Sequence, residues 1–178
     1  RRIIDTDQMA ITGHSFGGAV GLFVIGESCG PPLCILPAPL PEEVRAAAFY
    51  GTNLVQPPPV GLVDIDTGGL PVALLRGTED GVSTPAETGD TFTVLDDGRA
   101  LITVDGANHF GITDDPHPPG SQPDPNPSTI PQEAAQRRIA RWTALWLRSQ
   151  LRFDPVATFW LFRVGRSLDG SVTVDEIR

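Results

Sequence analysis

The chain has 178 residues, of which 40% are hydrophobic and 20% are charged, and its formal net charge is −9. This length and balance predict one globular domain with a substantial core. The acidic charge and the lack of a basic cluster argue against nucleic acid as a partner, because phosphates attract a positive face. All 13 basic residues are arginine. Without lysine, a P-loop phosphate site, a Schiff-base enzyme and a kinase are excluded.

The two cysteines, Cys29 and Cys34, are separated by Gly-Pro-Pro-Leu. No histidine lies close to them, so a zinc site is not expected. In a secreted protein they would form a small local disulfide, and in the cytoplasm they would stay reduced, so both locations remain open. The longest apolar stretch, around Ala19–Ile25, is far shorter than the roughly 20 residues that span a bilayer.

The chain begins with Arg1-Arg2-Ile3-Ile4-Asp5, which is neither a signal peptide nor a transit sequence. The apolar run Gln8–Thr12 follows and predicts a buried strand. A central strand needs neighbours on both edges, or its backbone N–H and C=O groups stay unpaired. Later strands can cover one edge only, so we expect further sequence upstream of Arg1 to cover the other.

Strands and helix-length connections alternate along the next hundred residues. Gly17–Ile25, rich in small residues, predicts a tightly packed helix. Further buried strands are predicted at Arg45–Tyr50, Pro71–Leu75 and Ala100–Val104. Their near-continuous hydrophobicity is typical of a mostly parallel sheet covered on both faces. We therefore expect an α/β fold, a three-layer αβα sandwich.

The C-terminal third contains a proline-rich loop and a long helix. Seven prolines between Pro116 and Pro131 predict an extended surface loop. The helix is predicted to begin near Thr129–Glu133, where Thr129 and Gln132 have the spacing of a capping box. One face of this helix is apolar and another is basic. The two faces comprise Ala135, Ile139, Trp142 and Trp146, and Arg137, Arg141 and Arg148, respectively.

Beyond this helix we separate residues 153–178, a C-terminal tail, from residues 1–152. The tail has an aromatic patch and a strand candidate at Val172–Val174. It is expected either to pack on the domain or to stand apart, and it has no functional interpretation.

A nucleophile motif lies between the first predicted strand and helix. Gly13-His14-Ser15-Phe16-Gly17 matches G-x-S-x-G, which places a serine in a strained turn. Bulk at either glycine is expected to clash with neighbouring backbone. The helix that follows points its first amides at a developing oxyanion, with the Phe16 N–H as one donor. Ser15 is therefore the candidate nucleophile.

A serine hydroxyl is a weak nucleophile and needs a base. Three histidines compete for this role. His14 lies inside the motif, and its side chain is expected to point away from the nucleophile. His117 lies in the proline-rich loop with no strand to fix it. His109 lies just beyond the strand Ala100–Val104, and it is the candidate base.

The base needs an acid to orient it, and Asp80, just beyond the strand Pro71–Leu75, is the candidate. The chain order Ser15, Asp80, His109 is the order used by α/β-hydrolases. Residues after parallel strands converge at one edge of the sheet, where ligands bind. Five other carboxylates remain alternatives for the acid. They are Glu79, Asp64, Asp66, Asp90 and Asp105.

These motifs resemble the α/β-hydrolase superfamily, and within it the predicted dienelactone hydrolase-like proteins, with relatives among chlorophyllases and platelet-activating-factor acetylhydrolases. The resemblance is carried by Ala10–Gly18, Gly77–Asp80 and Gly106–Phe110. It covers about residues 5–150 and corresponds to the C-terminal half of the family's catalytic domain. The family's first strands, and the upstream loop that supplies a second oxyanion donor, have no counterpart in this sequence.

The resemblance implies that a small-molecule ester is hydrolysed through an acyl-enzyme, with no metal and no organic cofactor. Dienelactone hydrolases have cysteine where Ser15 stands, which favours an ordinary carboxylic ester over a dienelactone. Lipid, thioester or peptide hydrolysis on the same triad, and a noncatalytic binding module, remain alternatives. The segment Gly111–Pro131 is expected to border the mouth of the site and to shape the substrate pocket. The oligomeric state stays open.

Overall fold

The computed structural model describes residues 5–26 and 39–177, so Cys29 and Cys34 lie outside the described residues. This part of the chain contains both strands and helices. The strands are β1 Met9–His14, β2 Val44–Tyr50, β3 Val55–Gln56, β4 Gly61–Leu62, β5 Val72–Gly77, β6 Arg99–Val104 and β7 Val172–Ile177. The helices are α1 Phe16–Ile25, α2 Pro85–Thr93, α3 Gln132–Leu151, α4 Pro155–Phe159 and α5 Gly165–Leu168, with a π-helical segment, Trp160–Val164, between the last two.

Five strands form the main sheet, in the order β1-β2-β5-β6-β7. The first four are parallel, and β7 pairs antiparallel with β6. β3 and β4 form a separate antiparallel pair. The prediction of a mostly parallel α/β sheet is confirmed. Because β1, β2, β5 and β6 run in one direction, the residues that follow them gather at one edge.

Alternate residues of the strands face two separate cores. Ala48 and Tyr50 of β2 pack on one side with Trp142 and Trp146 of α3. Phe49, between them in sequence, faces the other core, which includes residues of α1 and α2. Successive side chains of a strand point to opposite faces of the sheet, so one apolar strand contributes side chains to both cores. The expected three layers are present.

The long helix α3 has the expected apolar and basic faces, but the expected capping box is wrong. The helix begins at Gln132, after Pro131, and no side chain caps it. Proline disfavours helical backbone in the residue before it, so the helix cannot include Ile130. Gln132 instead donates from Nε2 to the carbonyl oxygens of Phe110 and Thr113, both at 2.6 Å.

A capping box does occur, at the start of α2, which the hydrophobic pattern did not predict. The Thr84 side chain accepts from the Glu87 N–H, and the Glu87 carboxylate accepts from the Thr84 N–H at 2.9 Å. Pro85 occupies the first turn of the helix, where its missing N–H costs nothing. The sequence Thr-Pro-x-Glu therefore carried the signal for this helix.

The C-terminal residues pack on the domain. The strand candidate Val172–Val174 is the first half of β7, which pairs with β6 along its whole length, from Val172 opposite Val104 to Ile177 opposite Arg99. Asp154 caps the start of α4, because its carboxylate accepts from the N–H groups of Val156 and Ala157, and the helix packs against α3. β7 is longer than expected because β6 supplies backbone hydrogen-bond partners along its whole length. The polar residues in the second half of β7 gave no sign of a strand there.

Helix α1 is apolar on most of its surface but only ten residues long. Across residues 5–26 and 39–177, no helix is both long and apolar enough to cross a membrane. The glycines of α1 let this helix approach the sheet closely. A Cβ on Gly21 would lie 2.5 Å from the Phe49 ring, and one on Gly18 would lie 2.8 Å from the Thr52 side chain. Small residues are thus required on the face of α1 that meets the sheet.

We expect Gly21→Ala to lower the free energy of unfolding by about 1–3 kcal/mol, because the methyl group overpacks against Phe49. Gly17→Ala in the same helix is the matched control. A Cβ there meets nothing within 4 Å. Alanine is the better helix former, so this variant should be neutral or more stable by up to about 1 kcal/mol. Urea unfolding measures both, and equal losses would contradict this packing.

Candidate active site

The turn between β1 and α1 holds Ser15 in strained backbone geometry. Ser15 has φ 55° and ψ −129°, a region that L-residues rarely adopt and that costs on the order of 1–3 kcal/mol. The last residue of β2 and the turn that follows it hold Ser15 there. The Ser15 N–H donates to the Tyr50 carbonyl at 3.0 Å, and Thr52 Oγ1 donates to the Ser15 carbonyl at 2.9 Å. The surrounding structure therefore fixes a conformation that the turn alone would not keep.

The two glycines of the motif are not equivalent. A Cβ on Gly13 would lie 2.8 Å from the Gly17 carbonyl oxygen, so this glycine is sterically required. The expectation of a clash at Gly17 is wrong, since a Cβ there meets nothing within 4 Å among the described residues. The next residue, Gly18, makes the close approach to Thr52 instead. The motif therefore needs small residues at its first glycine and one position beyond its last.

The three candidate catalytic residues form a continuous chain of hydrogen bonds. Ser15 Oγ lies 2.8 Å from His109 Nε2. His109 Nδ1 lies 3.0 Å from Asp80 Oδ2 and 3.1 Å from Oδ1. Asp80 is fully buried and His109 is 2% exposed. Each residue follows a different parallel strand, and the common direction of β1, β5 and β6 brings them together.

Asp80, rather than Glu79, reaches the base. Its Oδ1 accepts from the N–H groups of Val82 and Ser83, at 3.0 and 2.7 Å. These donors balance the cost of burying the carboxylate. The Glu79 side chain instead accepts from Thr78 Oγ1 at an exposed position. Within the described chain, none of the other carboxylates considered contacts His109.

His14 contacts the candidate base, which the sequence did not reveal. Its ring centroid lies 4.7 Å from that of His109, and its Nε2 lies 2.9 Å from the His109 carbonyl oxygen, to which it can donate. The expectation that it simply points away from the nucleophile is therefore incomplete. Burial lowers the pKa of His14, and the neighbouring His109 lowers it further. A neutral His14 thus supports the backbone of His109.

Gly51, directly after β2, lies beneath the pair of Asp80 and His109. Its φ is +57°, and an added Cβ would come within 3.0 Å of both Asp80 Oδ2 and His109 Nδ1. Only glycine leaves room for this pair. The sequence did carry a signal, because Gly51 ends a buried strand at the same edge as the other site residues.

An open cleft of about 580 Å³ lies over Ser15 and His109. Its lining includes Val82, which follows the acid, and four residues of the proline-rich loop, Ser121, Gln122, Pro123 and Pro125. The expectation that the segment Gly111–Pro131 borders the site is confirmed. No group of three or more histidine, cysteine, aspartate or glutamate side chains suited to a metal occurs in the described ranges.

Helix α1 begins directly after the nucleophile Ser15. Phe16 is the first helical residue, and the first N–H groups of a helix have no acceptor within it. The Phe16 N–H therefore stays the predicted oxyanion donor. The acid turn offers no second donor, because Asp124 accepts from the Gly81 N–H and Asp80 accepts from the next two amides.

Comparison with known proteins gives a distant structural similarity. No family model matches the chain, and no curated protein matches it. The solved structures include an esterase domain from a Rhodothermus marinus protein, which is 19% identical and superposes with a TM-score of 0.47. The match covers 78% of this chain and 59% of that structure. The chain thus spans less than two thirds of the length of the esterase domain.

The lowered pKa of His14 predicts a pH-dependent stability. The unfolded chain takes up the proton near pH 6.5, before the folded chain does. Stability is therefore full above this pH and is lost as the pH falls toward the folded pKa. We expect His14→Gln, which keeps an N–H donor, to reduce the fall in urea midpoint between about pH 7 and 5.

His117→Gln is the matched control for this experiment, because His117 is exposed. It should leave the pH dependence as in the wild type. An identical fall in His14→Gln and wild type would show that His14 does not carry the effect.

Proposed function

We propose that this chain hydrolyses carboxylic esters by a two-step acyl-enzyme mechanism, with Ser15 as nucleophile, His109 as base and Asp80 as acid. The observation that carries the proposal is the hydrogen-bonded line from Asp80 through His109 to Ser15 Oγ. It ends on a serine in the strained turn typical of a nucleophile elbow. A merely structural serine would need neither the positive φ nor the buried His–Asp pair.

In the first step, His109 Nε2 takes the proton from Ser15 Oγ as the oxygen attacks the ester carbonyl. The carbonyl oxygen becomes an oxyanion, which the Phe16 N–H stabilises from the start of α1. The bond to the leaving oxygen then breaks, and His109 returns the proton to it. An alcohol leaves, and the acyl group stays on Ser15.

In the second step, water takes the place of the serine. His109 removes a proton from water, which attacks the acyl carbonyl. The proton then passes to Ser15 Oγ as the acyl–oxygen bond breaks, and the acid leaves. In both steps the buried carboxylate of Asp80 holds Nδ1 protonated and stabilises the imidazolium as it forms. No step of this mechanism uses a metal or an organic cofactor.

The three motif segments that carry the resemblance favour membership of the dienelactone hydrolase-like group and its relatives, and this assignment is part of the proposal. Ser15 replaces the cysteine of dienelactone hydrolases, which supports an ordinary carboxylic ester as substrate. The cleft is consistent with the same class, since the exposed side chain of Val82 adds apolar surface to its lining beside Ser15.

Two other interpretations are separated by experiment. Lipid, thioester or peptide substrates would use the same triad, so a panel of matched acyl donors distinguishes them by kcat/KM. A noncatalytic binding module would not need an activated serine. Covalent labelling by a fluorophosphonate probe requires one and therefore discriminates against this interpretation.

Ser15→Ala and His109→Ala should each lower kcat for a p-nitrophenyl ester by on the order of 10⁴–10⁶-fold, because the members of a triad act as a unit. Steady-state kinetics on purified variants gives the measurement. The exposed His117→Ala should keep wild-type turnover and serves as the control for histidine removal. Near-normal turnover by either triad variant would refute the proposal.

Asp80→Asn should lower kcat by roughly 10⁴-fold, because an amide can hold the wrong histidine tautomer while leaving the geometry intact. Glu79→Gln is the matched control on the adjacent residue, and we expect less than about a threefold change from an exposed hydrogen bond. The same ester assay compares the two. A larger loss from Glu79→Gln than from Asp80→Asn would assign the acid to Glu79.

A further inference from the structure

The proline-rich loop leaves the site at His109 and returns to it. Its residues Asp124–Asn126, which we call the strap, lie against the turns that carry both the base and the acid. A Cβ on Gly81, in the acid turn, would lie 2.6 Å from Pro125 Cγ and 2.7 Å from Asp124 Oδ1. The strap therefore packs directly on the residue that follows Asp80.

The carboxylate of Asp124 joins these turns through both of its oxygens. Oδ2 accepts from the backbone N–H of His109 at 2.7 Å. Oδ1 accepts from the N–H of Gly81 at 3.1 Å and from the N–H of Asn126 at 2.8 Å. One side chain thus receives an amide of the base itself, an amide next to the acid, and an amide of the strap.

A second bond ties the strap to the base turn. Asn108 Nδ2 donates to the Asn126 carbonyl at 3.1 Å, and Asn108 is 5% exposed. Its Oδ1 accepts from the Phe110 N–H at 3.2 Å. The residues on either side of His109 are therefore fixed by the same side chain that holds the strap.

Asp80 and Asp124 hold different parts of His109. Asp80 contacts ring Nδ1, and this contact sets the tautomer of the imidazole. Asp124 contacts the backbone N–H, and this contact sets the position of the His109 backbone from which the side chain extends. The acceptor in this bond to the backbone of the proposed base is a carboxylate oxygen of Asp124. Hydrogen bonds with a charged partner are stronger than neutral ones.

We propose that Asp124 is a positioning residue that holds the backbone of His109 and the acid turn in register, so that Ser15, His109 and Asp80 stay aligned. The role rests on the proposed serine-hydrolase function. The loop also lines the cleft here, through Pro125 of the strap and the preceding Pro123. Proline limits the freedom of these residues, so the strap holds its position at low entropic cost.

The test replaces Asp124 by asparagine. An amide has one acceptor oxygen, so it cannot accept on both sides, and its NH₂ group must face an N–H donor. We expect kcat for a p-nitrophenyl ester to fall roughly 10–100-fold while KM changes less than about threefold. A misaligned triad lowers the chemical step, whereas a general loss of folded protein would lower the active concentration alone.

Asp115→Asn is the matched control in the same loop. Asp115 is exposed and accepts from the His117 N–H at 2.8 Å, two residues along, as Asp124 does from Asn126. It does not contact the triad, so kcat should stay within about twofold of wild type. Active-site titration with a fluorophosphonate corrects both variants for folded, reactive enzyme. A corrected kcat of Asp124→Asn within twofold of wild type would overturn the positioning role.

A second readout does not depend on turnover. The ring nitrogens of His109 in ¹⁵N-histidine-labelled protein, assigned with His109→Ala, should shift in Asp124→Asn and stay unchanged in Asp115→Asn. If the wild type neither turns over esters nor reacts with a fluorophosphonate, the proposed function fails. The ¹⁵N spectrum alone then tests whether Asp124 positions His109. Unchanged His109 signals would then overturn the role of Asp124.

Should Asp124→Asn fail to fold, Asp124→Glu provides the same comparison. It keeps the charge but moves the carboxylate by one methylene group. We expect at least a threefold lower kcat with KM within about threefold, and a wild-type kcat would overturn the proposal.

Discussion

The strained backbone of Ser15 is the constraint on which the rest of the structure depends. A positive φ at a serine is costly, and it persists only where neighbouring groups over-determine it. Here the last residue of β2 and the turn after it supply them, through the Tyr50 carbonyl and the Thr52 hydroxyl. Close packing of Gly13 and Gly18 leaves the turn no room to relax. The sheet thus stores the strain that exposes the Ser15 hydroxyl.

At the acid, the constraint is different, because a carboxylate is buried and needs hydrogen-bond donors. Asp80 is fully buried, and no arginine among the described residues forms an ion pair with it. Two backbone amides and the imidazole stabilise its charge instead. Because these partners are fixed by the acid turn, the carboxylate can orient the ring without moving.

His109 is held from every side by groups of different kinds. Its ring contacts Ser15 and Asp80, its carbonyl meets His14, and its N–H meets Asp124. Tyr50 adds a further link, since its hydroxyl donates to the carbonyl of Asn108 at 2.6 Å. Burial, with the neighbouring carboxylates Asp80 and Asp124, raises the pKa of Tyr50, so the phenol remains a donor. A base held in this way needs little reorganisation when a substrate binds.

The sequence by itself determined the α/β class, the packed face of α3 and the order of Ser15, Asp80 and His109. Each of these depends on local information: apolar runs mark the strands, and the polar residues that follow parallel strands meet at one edge. Local chemistry also contained the Thr84–Glu87 cap of α2, although hydrophobic periodicity did not reveal it. The Thr129–Gln132 pair had the same spacing, but Pro131 prevented a helix from starting there.

Only the tertiary structure decided which of several candidate residues, adjacent or distant in sequence, takes each role in the site. Glu79 and Asp80 are adjacent residues that both carry a carboxyl group. The backbone path of the turn buries the side chain of Asp80. Which glycine is required depends on what packs beside it, so Gly18 rather than Gly17 approaches Thr52. Asp124 lies 15 residues from His109 in sequence, within a loop whose polar residues look merely solvated. Contacts of this kind follow from how the chain returns on itself, and no local pattern of residues encodes that return.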